Sequence, residues 1–205
     1  MNINQIIVDD DVVPHELQEE VKRMHLADNF PWYLSFEQTQ TANKLYGNYF
    51  SLITPNISEY SQFVHVFQLE NEINSSPIIM NPVLTIFDMC KEKYGFNDNI
   101  LRIKSNFCPR VHVDNPDAHQ IPHTDSIKDH WVILYYVADS DGDTFIFNEK
   151  LREDEPIWNV KNLSIKQRIS PKQGRVVIFD GAHLHAGMHP RNHYNRVVTN
   201  FVFAK

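Results

Sequence analysis

The chain has 205 residues, of which 42% are hydrophobic and 22% charged, as in an ordinary globular protein. Its formal net charge is -7 and it contains no run of lysines and arginines, so the composition argues against nucleic-acid binding. We see no membrane-spanning stretch, no signal peptide and too few cysteines for a disulfide framework, which together predict a cytoplasmic protein.

Two amphipathic helices are predicted in the first half of the chain. The first covers about Pro14–His25, with acidic residues before it and basic residues in its last turn. The second is expected to be capped by Asn81, to begin at Pro82 and to end at Tyr94. Gly95 then stands where a left-handed residue commonly ends a helix.

Strands dominate the second half, where the hydrophobic pattern changes from a helical period to alternation. The aromatic stretch Phe30–Leu34 and the segment Ser61–Leu69 also favour extended structure. The clearer strands are predicted at Ile100–Phe107, Trp131–Val137, Thr144–Phe147, Lys166–Ser170, Arg175–Phe179 and Arg196–Phe203. This order predicts an α+β protein with helices packed outside a β-sandwich or jelly roll. We expect one domain over residues 1–205. Residues 1–99 would form a helical and mixed region that supports the jelly-roll core, and residues 100–205 would form that core and carry the site.

A metal site is indicated by His123 and Asp125. On a strand, side chains two residues apart point the same way, so this pair can offer an imidazole and a carboxylate to one ion. A third ligand has to come from a distant strand, and both His183 and His185 are candidates. Two imidazoles and one carboxylate are the donors that hold Fe(II) on one face and leave its other face open.

Arg196 suggests what occupies that open face. Its guanidinium is a planar fork of donors suited to a carboxylate, and it opens the last predicted strand. We therefore expect a dicarboxylate cosubstrate between the metal and Arg196, although a salt bridge at the strand end is the simpler alternative.

The second half resembles the iron(II)/2-oxoglutarate-dependent dioxygenases, and most of all their prolyl-4-hydroxylase-type branch. The similarity covers about residues 100–203. A weaker similarity extends to short oxygenases of phages and marine microbes. The matching stretches are PHTD (Pro122–Asp125), ILYYV (Ile133–Val137), DGDT (Asp141–Thr144), PKQGRVVIFDG (Pro171–Gly181) and HAGMHP with Arg196 (His185–Arg196).

The resemblance implies a double-stranded β-helix of cupin-like type and a metal triad of His123, Asp125 and His185. It favours His185 over His183 because His185 stands six residues after Phe179. No catalytic residue is implied beyond the metal ligands. The activity would be hydroxylation of a C–H bond with Fe(II), 2-oxoglutarate and O2. A prolyl residue of a peptide or protein is the implied substrate, with a free amino acid or other small molecule as the alternative.

The cosubstrate contacts are also implied by the resemblance. Arg196 would bind the 5-carboxylate of 2-oxoglutarate, Tyr136 would bind the same group, and Asn106 would add a further contact. Where the family often has Ser or Thr, this chain has Val198.

Several assignments stay open. Arg102 and Lys104 share the face of Asn106, so they are either solvated edge residues or able to bind an acidic substrate. Residues 106–130 and 147–165 are candidates for a lid. Alternatives for the whole protein are a cupin-like metalloenzyme that does not use 2-oxoglutarate and a non-catalytic binding module; the oligomeric state is open. The remaining histidines of the second half are expected on surface loops, namely His112, His119, His130, His189 and His193.

Overall fold

A computed structural model describes residues 5–36, 49–54, 56–58, 60–112, 114–151 and 157–205. Its helices are α1 (His15–His25) and α2 (Pro77–Tyr94), and residues 49–53 are also helical. A short 3-10 helix lies at Ile157–Asn159. The strands in chain order are β1 (Ile7–Asp9), β2 (Tyr33–Ser35), β3 (Gln62–Leu69), β4 (Glu72–Ile73), β5 (Ile100–Pro109), β6 (His130–Tyr136), β7 (Thr144–Lys150), β8 (Ile165–Ile169), β9 (Val176–Asp180), β10 (His183–Gly187) and β11 (Asn195–Ala204).

The strands form two antiparallel sheets. The large sheet has the order β1-β9-β6-β11-β5-β3-β2, with β4 paired to β3, and the small sheet has the order β10-β7-β8. From β8 to β11 the chain alternates between the small and the large sheet. The strands of residues 1–99 therefore extend the same sheet that the second half builds, in addition to supplying helices.

The helices cover the outer face of the large sheet. Phe87 of α2 packs its ring against Phe201 and Phe203 of β11, with ring centroids 5.9 Å and 5.5 Å apart. Val21 of α1 is fully buried in the same cluster. A second cluster fills the space between the two sheets, and it includes Tyr136 from the large sheet. Beyond this cluster, the inner face of the large sheet is not filled by apolar side chains of the described residues. A binding site can therefore form there.

The two faces of strand β5 belong to different environments: one packs into the core and the other lines the cavity. It lies between β11 and β3 in the middle of the large sheet, so its polar residues are not solvated edge residues. Ile103 points outward into the helix-covered core, whereas Lys104 and Asn106 line a cavity on the inner face. This is the alternation expected of a strand with two different faces.

Most predicted elements are confirmed to within a few residues, and the differences have physical causes. The second helix begins at Pro77 rather than Pro82, with Ser76 as its N-cap. Proline suits the first turn, where its missing N–H leaves no bond unmade, so Pro77 is the better start. Pro82 lies inside the helix and is buried. Strands β1, β4 and β10 were not predicted. Among the described residues, no helix combines the length and hydropathy needed to span a bilayer.

Replacing Phe87 with alanine is expected to lower the free energy of unfolding by about 3–5 kcal/mol, because its ring is 1% exposed and fills the contact between α2 and β11. Ile78→Ala in the same helix is the matched control, since Ile78 is 84% exposed. Urea denaturation of both variants measures the difference. Equal losses in the two would contradict the assigned packing.

Candidate metal centre

His123 and His185 are joined through their backbones. Each donates its N–H to the carbonyl oxygen of the other, at 3.0 Å in both directions. This isolated antiparallel bridge attaches the loop that carries the HxD pair directly to β10. The two imidazole rings lie side by side, with their centroids 4.7 Å apart. The main chain thereby brings together two histidines that are 62 positions apart in sequence (185 minus 123).

Both imidazoles present the same nitrogen to the centre. Nδ1 of His123 lies 2.9 Å from the carbonyl oxygen of Ile121, and Nδ1 of His185 lies 3.1 Å from that of His183. Because a carbonyl can only accept, each Nδ1 carries the proton and each Nε2 keeps its lone pair. Nε2 of His185 is buried and has no hydrogen-bond partner among the described residues. This arrangement of ring nitrogens is the one that metal-binding histidines adopt.

The charge states suit a cation. Burial, together with the nearby His185, lowers the pKa of His123 to about 4, so its imidazole is neutral at physiological pH. Burial opposes ionisation of Asp125, but the positive charge of Arg102, the largest opposing effect, holds the pKa of the carboxyl well below its ordinary value. The centre therefore offers the neutral imidazole of His123 and an ionised carboxylate.

Asp125 is fixed from two sides. Arg102 donates to its Oδ1, and Asn200 donates to its Oδ2 at 2.9 Å. The same Oδ2 lies 3.3 Å from Nε2 of His185, in a geometry that does not form a hydrogen bond. The ligand atoms of His123, Asp125 and His185 all lie within 4.8 Å of one another, so they can hold one metal ion. This donor set fits Fe(II).

Arg196 is held beside this centre at the start of β11. It is 5% exposed, and its Nε donates to the carbonyl oxygen of Gly142 at 2.7 Å. Its Nη2 donates to the hydroxyl of Thr144 at 2.8 Å, and that hydroxyl also accepts from Tyr136 at 2.7 Å. The guanidinium lines the same cavity as the three metal-ligand candidates.

The DGDT stretch explains how room is made for Arg196. Asp141 accepts backbone N–H groups from residues 191–193 and so fixes the turn before β11. A Cβ on Gly142 would meet the Met188 carbonyl oxygen at 2.7 Å and Cδ of Arg196 at 2.8 Å. A Cβ on Gly187 would lie 3.3 Å from the guanidinium carbon. Gly142 therefore has to be glycine for the arginine to fit, whereas a Cβ at position 187 would require the guanidinium to shift by a few tenths of an ångström.

The space inside the cavity, counting its open mouth, is about 480 Å³. It has two apolar wall residues, Leu134 and Val198, while the rest of its lining is polar or glycine. The polar lining consists of Gln62, Lys104, Asn106, Gln120, His123, Asp125, Thr144, His185, Arg196 and Asn200.

The structure brings together most of the residues that the sequence singled out. His183 is the exception among the ligand candidates: its Nδ1 bonds the Phe147 carbonyl oxygen and its Nε2 lies 3.1 Å from the Lys166 ammonium. A register shift between His183 and His185 separates their directions. Asn106 lines the cavity and its Oδ1 is buried without a partner among the described residues.

Tyr136 is not among the residues that line the cavity, and its predicted contact with the cosubstrate stays a prediction. Its hydroxyl is directed to Thr144, which stands between it and the cavity. Thr144 was not singled out, and neither was Asn200, although its spacing from Arg196 places it on the same face of β11. The expected surface position is wrong for His119, His130 and His189, which are buried. The proposed lid segments are described only in part, since residues 113 and 152–156 lie outside the described residues.

No protein-family model matches the chain, and no curated protein matches it. Solved structures do. A prolyl hydroxylase from Trichoplax adhaerens, in complex with a hypoxia-inducible-factor peptide fragment, is 13% identical with a TM-score of 0.56, over 98% of this chain and 84% of that one. A Pseudomonas putida prolyl-4-hydroxylase is 11% identical with a TM-score of 0.52, over 98% and 92%.

An epimerase in complex with Fe3+, alpha-ketoglutarate and nogalamycin RO is similar in the same way. It is 11% identical with a TM-score of 0.55, over 98% of this chain and 78% of that one. A 2OG-Fe(II) oxygenase-family protein from Burkholderia pseudomallei is 10% identical with a TM-score of 0.51, over 92% and 90%. The chain therefore has the fold of the 2-oxoglutarate–Fe(II) oxygenases.

His185→Ala is expected to weaken Mn(II) binding by more than about 100-fold, because a direct ligand contributes more than the outer contacts whose loss costs roughly 10–100-fold. His183→Ala, two residues away on the same strand, should leave the Mn(II) affinity within about twofold. Isothermal titration of both variants and of wild type measures this. A larger loss in His183→Ala would exchange the roles of the two histidines.

Arg196 and the hydrogen bonds that hold its guanidinium are expected to determine the affinity for 2-oxoglutarate. Arg196→Met should abolish measurable binding in the presence of Mn(II), and Thr144→Val should weaken it about tenfold, because the hydroxyl bonded to the guanidinium is lost. Tyr136→Phe should weaken it less than Thr144→Val, since the phenol reaches the cavity only through Thr144. Titration of 2-oxoglutarate followed by intrinsic fluorescence tests the order, and a reversed order would support Tyr136 as the direct contact.

Proposed function

We propose that the protein is an Fe(II)- and 2-oxoglutarate-dependent dioxygenase that hydroxylates a C–H bond. One observation carries the proposal: a His-Asp-His cluster and a buried arginine with an ordered guanidinium line the same cavity. The fold of 2-oxoglutarate–Fe(II) oxygenases supports it.

The roles of the side chains follow from their chemistry. His123, Asp125 and His185 hold the iron, with Nε2 of each histidine as the ligand atom. Arg196 binds the 5-carboxylate of 2-oxoglutarate through charge-assisted hydrogen bonds. Thr144 orients the guanidinium, and the side-chain NH2 of Asn106, which lines the cavity, can donate a further hydrogen bond to the cosubstrate.

When bound at this site, iron would supply the oxidation of the substrate by O2 and 2-oxoglutarate, which yields succinate, CO2 and a hydroxylated substrate. The protein provides orientation and a cavity that limits water. Arg102 and Asn200 keep the Asp125 carboxylate ionised and turned toward the histidines. No nucleophile or general base of the protein is required.

The same proposal extends to the architecture. The antiparallel order β9-β6-β11-β5 faces the order β8-β7-β10, and the chain crosses between the sheets as it winds. We infer that these strands form a double-stranded β-helix, with the bridge at His123 marking a short further strand beside β10. Residues 1–99 support this core within one domain over residues 1–205.

For the substrate, two precedents stand among the structural neighbours. The Trichoplax adhaerens protein binds a peptide, and the epimerase binds nogalamycin RO, a small molecule. A prolyl residue of a peptide or protein is our leading substrate class for this chain. A metalloenzyme that does without 2-oxoglutarate would have no use for the guanidinium that Gly142 and Thr144 hold in the cavity.

Turnover tests the function directly. Wild-type protein with Fe(II), ascorbate and O2 is expected to convert 2-oxoglutarate to succinate, and Asp125→Ala should lower the rate by more than about 100-fold through loss of an iron ligand. Asp129→Ala is the matched control, because Asp129 is exposed, and it should retain the wild-type rate. Succinate is quantified by mass spectrometry. Equal turnover in wild type and Asp125→Ala would contradict the proposed function and the role of Asp125 as an iron ligand.

A further inference from the structure

Lys104 is a cation that the proposed reaction leaves unused. It lines the cavity from strand β5, in the middle of the large sheet. Among the described residues its ammonium senses the charges of Arg102 and Asp125, but the ion-pair partners of Asp125 are Arg102 and His185. Asp125 is the one carboxylate among the residues that line the cavity, and Arg102 and Asn200 already occupy both of its oxygens.

An unpaired ammonium in such a place is costly. Burial, with a smaller effect of the Arg102 charge, lowers the pKa of Lys104 to about 8, so the side chain is still mostly cationic at neutral pH. Removing a charge from water without a partner destabilises the folded state, and proteins retain such groups where they bind something.

The charges of the cavity do not balance even when the proposed ligands are present. Lys104 and Arg196 line the cavity and are positive, and Asp125 is negative. With Arg102, which lies outside the lining and bonds Asp125, the group has a surplus of two positive charges. A divalent iron adds two, and 2-oxoglutarate removes two. The surplus that remains favours one further anion in the cavity.

The strand register places the backbone of Lys104 away from that of Arg196, the residue proposed to bind the 5-carboxylate of 2-oxoglutarate. Arg196 lies opposite Cys108, whereas Lys104 lies opposite Asn200, which is four residues farther along β11, or about 13 Å. Asn200 is the residue that bonds Asp125, so Lys104 is at the metal end. A five-carbon diacid spans only about 5 Å between its end carbons. The backbones of Lys104 and Arg196 are therefore farther apart than the two carboxylates of one 2-oxoglutarate molecule.

We propose that Lys104 binds a carboxylate of the substrate and holds it beside the metal. This inference rests on the proposed function and narrows its substrate class to molecules that bear a carboxylate near the hydroxylated carbon. Asn106 and Asn200 each keep a buried Oδ1 without a partner among the described residues, and so offer acceptors next to the ammonium for donors of the same substrate. The carboxylate belongs either to a small acid or to an acidic residue of a peptide.

The test uses full-length protein loaded with Mn(II) and saturating 2-oxoglutarate, with [1-13C]acetate as the probe. Paramagnetic relaxation of the 13C signal reports acetate near the metal. We expect saturable relaxation with wild type and none with acetamide. Lys104→Met should weaken acetate binding at least about tenfold, and Lys104→Arg should largely preserve it. Lys128→Met removes an exposed lysine and serves as the matched control.

Two results would overturn the inference. One is equal acetate affinity in wild type and Lys104→Met, with both shown to be folded by thermal melting. The other is a loss of 2-oxoglutarate affinity in Lys104→Met as large as the loss of acetate affinity, since Lys104 would then serve the cosubstrate. Binding of 2-oxoglutarate to wild type is measured before any acetate is added. If wild type binds no 2-oxoglutarate at all, the proposed function itself fails.

Competition with bound acetate identifies the source of the carboxylate. Displacement by L-proline but not by L-prolinamide supports a free acid. Displacement by acetyl-Glu-Pro-amide but not by acetyl-Gln-Pro-amide supports an acidic residue in a peptide.

Discussion

The antiparallel pairing of β5 with β11 is the constraint on which the rest of the molecule depends. Side chains alternate between the two faces of both strands, so each strand contributes at once to the core and to the site. Ile103 and Phe201 face the helices, while Lys104 and Asn200 face the cavity. A slip of one residue in this register would bury the polar set against the helices and expose the apolar one, so folding and binding select the same register.

The second requirement is that the candidate metal ligands are ordered by the protein itself. Main-chain carbonyls fix the tautomers of His123 and His185, and a cation and an amide fix Asp125. These contacts come from four separate parts of the chain. The site is thus built by long-range packing, and local sequence around the HxD pair supplies only its ligand atoms.

Features that depend on residues close together in sequence could be predicted from the sequence. Features that depend on how one sheet packs against the other could not. The strands followed from alternation, and the cluster of His123, Asp125 and His185 followed from the motif order. Tyr136 was assigned to the cavity because nothing in its own strand reveals that Thr144, on the opposite sheet, intervenes. The irregular register of β10 likewise decides which histidine faces the centre, and an i, i+2 rule cannot show it.

The surplus of positive charge in the cavity has a consequence for the lifetime of the protein. Mutual repulsion of these cations weakens the folded state when the cavity is empty, and bound anions relieve it. Anything that binds the folded form alone shifts the unfolding equilibrium by mass action. An anion that binds this cavity would then raise the folded fraction of the chain and lower its susceptibility to proteolysis.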